Sequence, residues 1–142
     1  MPPAVQARDP SAVLRGAGIR STPQRLEVLK TLASVQNDAT AQELHSKLRR
    51  RGSRIGLATV YRALAALSDH GIIDTLTHRQ GEASYRLCGE GHHHHLTCTA
   101  CHRVVELEGC SLDTWLAEVS RQESFALTSH RVELAGLCAD CQ

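Results

Sequence analysis

Aromatic side chains are nearly missing from this 142-residue chain, which holds one Trp, one Phe and two Tyr. Any core must therefore be assembled from Leu, Val, Ile and Ala. Long apolar runs are missing as well: none approaches the roughly 20 residues that a membrane-spanning helix needs, so no membrane is expected as a partner. The opening stretch, Met1 to Pro10, is polar and proline-rich and lacks the apolar segment of a secretory signal. A reducing cytoplasm is the expected compartment, and there six cysteines serve as metal ligands rather than as disulfides. Net charge is almost absent at +1, but residues 1–74 carry 11 Lys and Arg against 6 Asp and Glu, whereas residues 75–142 carry 5 against 9. Only the first half has the sign to meet a polyanion.

What is present begins with helix punctuation. Thr22-Pro23 supplies a capping hydroxyl and a proline at the first helical position, and Leu26, Leu29, Leu32, Ala33 and Val35 follow at helical spacing. Thr40-Ala41-Gln42-Glu43 is a capping box that opens a second helix through Leu44 and Leu48, closing on Arg49-Arg50-Arg51 and Gly52. A third helix is predicted from about Leu57 to His70, with Gly71 as its cap. Its apolar edge is Leu57, Val60, Leu64 and Leu67; the other edge carries Ala58, Thr59, Arg62, Ala65, Ala66 and Asp69, with Tyr61 at the flank. Two strand-like runs, 72–76 and 83–87, are joined by a polar loop holding Arg79 and Gly81. Three short helices and a hairpin predict a winged helix-turn-helix.

On that reading, the small-sided edge of the third helix approaches a groove in double-stranded DNA. Ala58 lets the backbone come close, while Thr59, Tyr61 and Arg62 reach base edges and phosphates. Arg20, ahead of the first predicted helix, is a candidate backbone or minor-groove contact, and the Arg49 to Arg51 run adds diffuse attraction. The same residues would also suit a plain solvated helix face.

Gly89-Glu90-Gly91 breaks the pattern and reads as a hinge. It divides a winged-helix domain, residues 1–88, from a small α/β module, residues 92–142. The second part is expected to hold strands at 92–97, 103–107 and 130–134 and a helix over 111–123 with Leu112, Trp115, Leu116 and Val119 on one face. The fold class expected for the whole is α+β.

Two Cys-x-x-Cys knuckles, Cys98/Cys101 and Cys138/Cys141, give four thiolates, which close a tetrahedral zinc cage and leave no open position for catalysis. The 36 residues between the knuckles make room for a strand, a helix and a strand. An unbroken run, His92 to His95, precedes the first knuckle. In an extended strand successive side chains alternate faces, so His93 and His95 point one way and His92 and His94 the other. One strand can thus serve two sites. Asp74, Cys88, His93 and His95 would make a cluster spanning the hinge. His92 and His94 need partners within the second module, for which His130 and Asp113 are candidates among several acidic residues. Cys110 fits no motif and reads as a buried apolar residue.

At this point the chain resembles the ferric uptake regulator family of metal-sensing repressors. The resemblance rests on Gly18-Ile19-Arg20-Ser21-Thr22-Pro23-Gln24-Arg25, Ala41-Gln42-Glu43-Leu44, Gly56-Leu57-Ala58-Thr59-Val60-Tyr61-Arg62-Ala63-Leu64, His92-His93-His94-His95-Leu96-Thr97-Cys98-Thr99-Ala100-Cys101 and the final knuckle. Within the family, Glu82-Ala83-Ser84-Tyr85-Arg86-Leu87-Cys88 is similar to the zinc uptake regulator branch; iron-sensing relatives usually carry Asp at the place of His94 and lack the thiol of Cys88. The resemblance implies a homodimeric, zinc-responsive repressor of metal-uptake genes that binds a palindromic DNA operator through its winged helices. It implies a sensing site of Asp74, Cys88, His93 and His95 and a secondary site of His92, His94, Asp113 and His130, with Asp113 standing where Glu is commoner. Neither an enzyme nor a small-molecule substrate is expected. The rival readings are an iron- or peroxide-sensing sibling, a metallohydrolase and a zinc-storage protein.

Overall fold

A computed structural model describes residues 8–87, 89 and 91–142. The chain forms two compact units, residues 1–89 and 90–142, and the architecture is α+β.

The first unit opens with a helix absent from the sequence-based expectation, α1 (Pro10–Gly16). Its start is dictated locally: Asp9 accepts hydrogen bonds from the Ser11 and Ala12 backbone N–H groups, and Pro10 occupies the first turn, where its missing N–H costs nothing. Helix α2 (Pro23–Ala33) begins as expected, with the Thr22 hydroxyl accepting from the Arg25 N–H at 3.2 Å. Strand β1 (Ala39–Thr40) leads directly into α3 (Ala41–Arg50). There both hydrogen bonds of the capping box form, Glu43 N–H to the Thr40 hydroxyl and Thr40 N–H to the Glu43 carboxylate. Helix α4 spans Leu57–Asp69, and Gly71 takes the left-handed conformation at φ +69° just beyond it.

Strands β2 (Ile73–Leu76) and β3 (Ser84–Leu87) pair antiparallel, and β1 adds to the other side of β3, giving the order β1-β3-β2. Leu14, Val28, Leu29, Leu32, Leu44, Leu48, Val60, Leu64 and Leu67 are sealed in one apolar cluster with Ile73 and Leu87. It is an aliphatic core, as the scarcity of aromatics requires. Ala63 belongs to the buried edge of α4, and Ala66, expected on the outer edge, packs half-buried against the core.

The second unit is a three-stranded sheet in the order β5-β4-β6. Central β4 (His93–Cys98) runs antiparallel to β5 (Val104–Glu108) and parallel to β6 (Glu133–Gly136). Helix α5 (Asp113–Glu123) lies between β5 and β6 in sequence, and Ser124 closes it in the left-handed conformation. β6 begins three residues later than expected because its place is set by pairing with β4, Leu96 against Leu134 and Cys98 against Gly136. The expected apolar face of α5 is not buried: no residue of the helix is, and Trp115 is 61% exposed.

Candidate metal centres and nucleic-acid interface

The thiol cluster is built by strand pairing. Cys98 ends β4, and the chain then turns tightly, with the His102 N–H donating to the Cys98 carbonyl at 3.0 Å and the Cys98 N–H to the Arg103 carbonyl at 2.9 Å. Because β6 runs parallel to β4, its end delivers Cys138 to the same edge, and a single 3-10 turn (Ala139–Cys141) brings Cys141 back. The four sulfurs all lie within 4.8 Å of one another.

Cys101 and Cys138 are 3.7 Å apart. That is far outside the roughly 2.05 Å of a disulfide and matches the edge, about 3.8 Å, of a zinc tetrahedron with Zn–S near 2.3 Å. The donor geometry therefore fits zinc. The Cys98 thiol is brought down to about 6 by the backbone N–H groups of Cys101 and then Cys138. Cys141 is pushed up to about 12 by the thiol of Cys138, then that of Cys101. One sulfur readily yields its proton and another holds it tightly; a dication ligated by all four would deprotonate them together.

The histidines alternate as their strand requires. His93 and His95 share one face, with ring centroids 5.0 Å apart and planes at 87°. The register sets Glu106 of β5 and Glu133 of β6 on either side of His95. Residues opposite one another in a ladder point to the same side, so both carboxylates flank the imidazole that sequence reasoning nominated as a ligand. Carboxylates beside a ligating histidine orient its ring and raise its basicity. Neither residue was legible in the spacing, since only the pairing brings them to His95. Of the other two nominated sensing ligands, Asp74 is half-buried in β2 opposite Arg86, and Cys88 lies outside the described residues.

On the other side, the His92 and His94 rings stand edge to face, with their Nε2 atoms 3.2 Å apart, and the His130 ring lies 4.4 Å from that of His92. Burial lowers the pKa of His94, and the neighbouring His92 and His130 rings lower it further, which favours the neutral form whose lone pair can ligate. The structure corrects two expectations here. The fourth donor drawn into this cluster is Cys110, whose sulfur lies 3.2 Å from His130 Nε2. Cys110 is thus half-buried beside an imidazole rather than an apolar filler. Asp113, the expected fourth ligand, is exposed at the first position of α5 and outside the cluster.

The nominated nucleic-acid face is also laid out. Helix α4 buries Val60, Ala63, Leu64 and Leu67 and turns Ala58, Tyr61, Arg62 and Ala65 outward, with Thr59 half-buried. The Arg62 guanidinium leans on the Thr59 hydroxyl at 3.4 Å. Arg20 is exposed ahead of α2, and its carbonyl accepts from Arg25.

The Arg49 to Arg51 run is not uniform. Arg51 reaches the Thr31 and Ser34 hydroxyls of α2, whereas Arg49 and Arg50 belong to the exposed end of α3. Arg79 is no loose loop cation either. It bridges the fully buried carboxylate of Asp38 and that of Glu43, each at 3.0 Å, and His78 reaches Asp38 at 3.3 Å. This pins the β2–β3 loop to the start of α3.

A family model described as the Ferric uptake regulator family matches residues 16–135. The chain belongs to that family. It is 43% identical over 129 residues to the zinc uptake regulation protein of Mycobacterium tuberculosis, covering 91% of this chain and 99% of the relative. It is 34% identical to the ferric uptake regulation protein of Escherichia coli K12, over 94% and 93% of the two chains. Among solved structures, a zinc uptake regulator complexed with zinc and DNA superposes with a TM-score of 0.77 at 28% identity, covering 92% of this chain and 88% of that one. Members of the family are transcription regulators, and the fold seen here, helices with a wing followed by a small sheet unit, is theirs.

Proposed function

We propose that this protein is a zinc-responsive, DNA-binding transcriptional repressor of metal-uptake genes, acting as a homodimer on a palindromic operator. The observation that carries the reading is the donor chemistry of β4 and its surroundings. On one side of the strand three imidazoles meet the Cys110 thiol, and four thiols gather at its end; nitrogen and sulfur donors favour zinc over harder, oxygen-preferring ions.

Residues 1–88 form the DNA-binding domain, residues 89–91 the hinge and residues 92–142 the dimerisation and metal-binding domain. Cys98, Cys101, Cys138 and Cys141 hold structural zinc; Asp74, Cys88, His93 and His95 hold regulatory zinc. When bound, zinc supplies charge and a fixed set of directed bonds. Because Asp74 and Cys88 lie before the hinge and His93 and His95 after it, ligation by all four restrains the two domains. Ala58, Thr59, Tyr61 and Arg62 of α4 enter the major groove, and Arg20 holds the backbone. Two such helices in a twofold dimer read half-sites about one helical turn, or a multiple, apart. The ion must favour the DNA-competent arrangement for this to regulate, since equal affinity for both arrangements shifts nothing.

Dimerisation is supported by an apolar row across the second sheet. Val105, Leu96 and Leu134 stand side by side in register, all exposed on the single chain. No helix of the described residues is long and apolar enough to cross a membrane, and a cytoplasmic regulator without enzymatic activity is the reading we adopt.

The test is operator binding against buffered free zinc for the parent protein and for Cys88→Ser. Zinc-dependent binding is expected in the parent and lost in the variant, with one cage zinc per chain retained in both. Parent binding indifferent to removal of labile metal would refute zinc control. A response to ferrous iron or manganese but not zinc would favour an iron- or peroxide-sensing sibling.

A further inference from the structure

We propose that Cys110, and not Asp113, is the fourth ligand of the second labile metal site, which makes it a three-imidazole, one-thiolate centre for zinc. The inference refines the functional reading above by naming the donor set of a site that does not depend on Cys88.

Three independent placements converge on it. Alternation along β4 puts His92 and His94 together on the side away from His93 and His95, and their Nε2 atoms approach to 3.2 Å. The segment before β6 brings in His130, whose ring faces both, with centroids 4.4 and 5.3 Å away. Gly109, at φ +79°, follows β5 in a left-handed turn that favours glycine, and the next residue, Cys110, lands with its sulfur 3.2 Å from His130 Nε2. The four donor atoms lie within 4.8 Å of one another, and the two closest pairs approach the edges of a zinc tetrahedron, about 3.3 Å for N–N and about 3.6 Å for N–S.

The carboxylate of Asp113 lines the same surface depression as His130, so it is the natural competitor. It lies outside the donor cluster, on the first turn of α5. On binding, Cys110 forms the metal–sulfur bond and its thiol proton leaves to solvent, as thiolate ligation requires. A sulfur in the set weights the site toward zinc or cobalt and against manganese or magnesium.

Cobalt(II) reports this directly, because a cobalt–thiolate bond adds a near-ultraviolet charge-transfer band that nitrogen and oxygen ligands do not. The full-length protein is prepared with its cage zinc in place, carrying Cys88→Ser to remove the other labile thiolate, and is titrated with two equivalents of cobalt(II). We expect a one-thiolate band that disappears on adding Cys110→Ser, persists on adding Asp113→Asn, and disappears in Cys110→His while metal binding there is kept. Competition with a chromophoric chelator should show Cys110→Ser weakening the site by at least the 10–100-fold, roughly, that loss of even an outer-shell partner costs, with Asp113→Asn close to the parent.

One zinc per chain in the cage of every variant certifies the fold. A band that survives Cys110→Ser, a band missing before that change, or metal released by Asp113→Asn would each overturn the assignment. None of these readings involves DNA, so failure of zinc control at the operator leaves this inference standing, and its own failure leaves zinc control untouched.

Discussion

The two units solve the stability problem in opposite ways. The first buries leucines, valines and isoleucines from four helices and a small sheet in one cluster. In the second, the buried residues among those described are Cys98, Val104, His94, His95 and Thr97, while Trp115, Phe125, Leu127, Leu134 and Leu137 are exposed. A unit of about fifty residues is below the size at which an apolar core suffices alone. On the function proposed above, metal ligation and a second copy of the chain supply what the core lacks, and the half that answers to zinc also depends on it.

That contrast is breakable, and the largest break is at the cage. Cys138→Ser should release structural zinc, whose ligation is worth on the order of 10 kcal/mol in small zinc-folded domains. Hydrogen exchange should then find β4, β5 and β6 unprotected while α2, α3 and α4 keep their protection. Equal loss in both units would erase the distinction.

Next comes the apolar row. Leu134→Glu should cost about 4 kcal/mol of association over the twofold-related pair, at roughly 2 kcal/mol for each buried anchor. Sedimentation should then show monomer that retains its cage zinc. Leu64→Ala works on the other unit, where truncating a sealed leucine should cost about 3 kcal/mol in denaturant unfolding and leave zinc content unchanged. Arg79→Ala should cost about 3 kcal/mol, because it removes the guanidinium that pairs with the buried Asp38 carboxylate; reduced protection of β2 and β3 would mark the loosened wing.

The smallest effect concerns Glu43. Burial alone would raise its pKa, but the Thr40 N–H and the Arg79 guanidinium together bring it below 4.5. A carboxyl lowered by folding stabilises fully above its unfolded value, and that contribution is lost as pH falls through the lowered value. Carboxyl titration by NMR should therefore place the Glu43 midpoint below 4.5, rising in Arg79→Gln. A midpoint unmoved by the substitution would show that the ion pair does not hold it.

How much was legible in the sequence follows the range of the forces. Caps act within one turn, so Thr22, Thr40 and Gly71 announced their helices, and the meeting of four thiols was written in two knuckles. α1 carries the same kind of signal in Asp9-Pro10, but at seven residues it is too short for a helical period to show. β1, at two residues, has no pattern to read; it exists because β3 accepts it. Strand pairing acts between distant positions, and there the spacing failed. It placed β6 three residues early and gave no hint that Glu106 and Glu133 flank His95. It nominated Asp113 where the turn after β5 delivers Cys110. Donors that meet through a ladder register are invisible to any count along the chain.

Alternation along β4 has one more consequence. Cys98 is anchored at the far end of the strand, so one histidine inserted into or deleted from the run His92 to His95 would slide the earlier members by a single place. Each displaced ring would trade sides, and donors meant for one ion would be handed to the other. The run is therefore read by parity rather than by number: a neighbour with three or five histidines would hold nearly the same composition and be miswired.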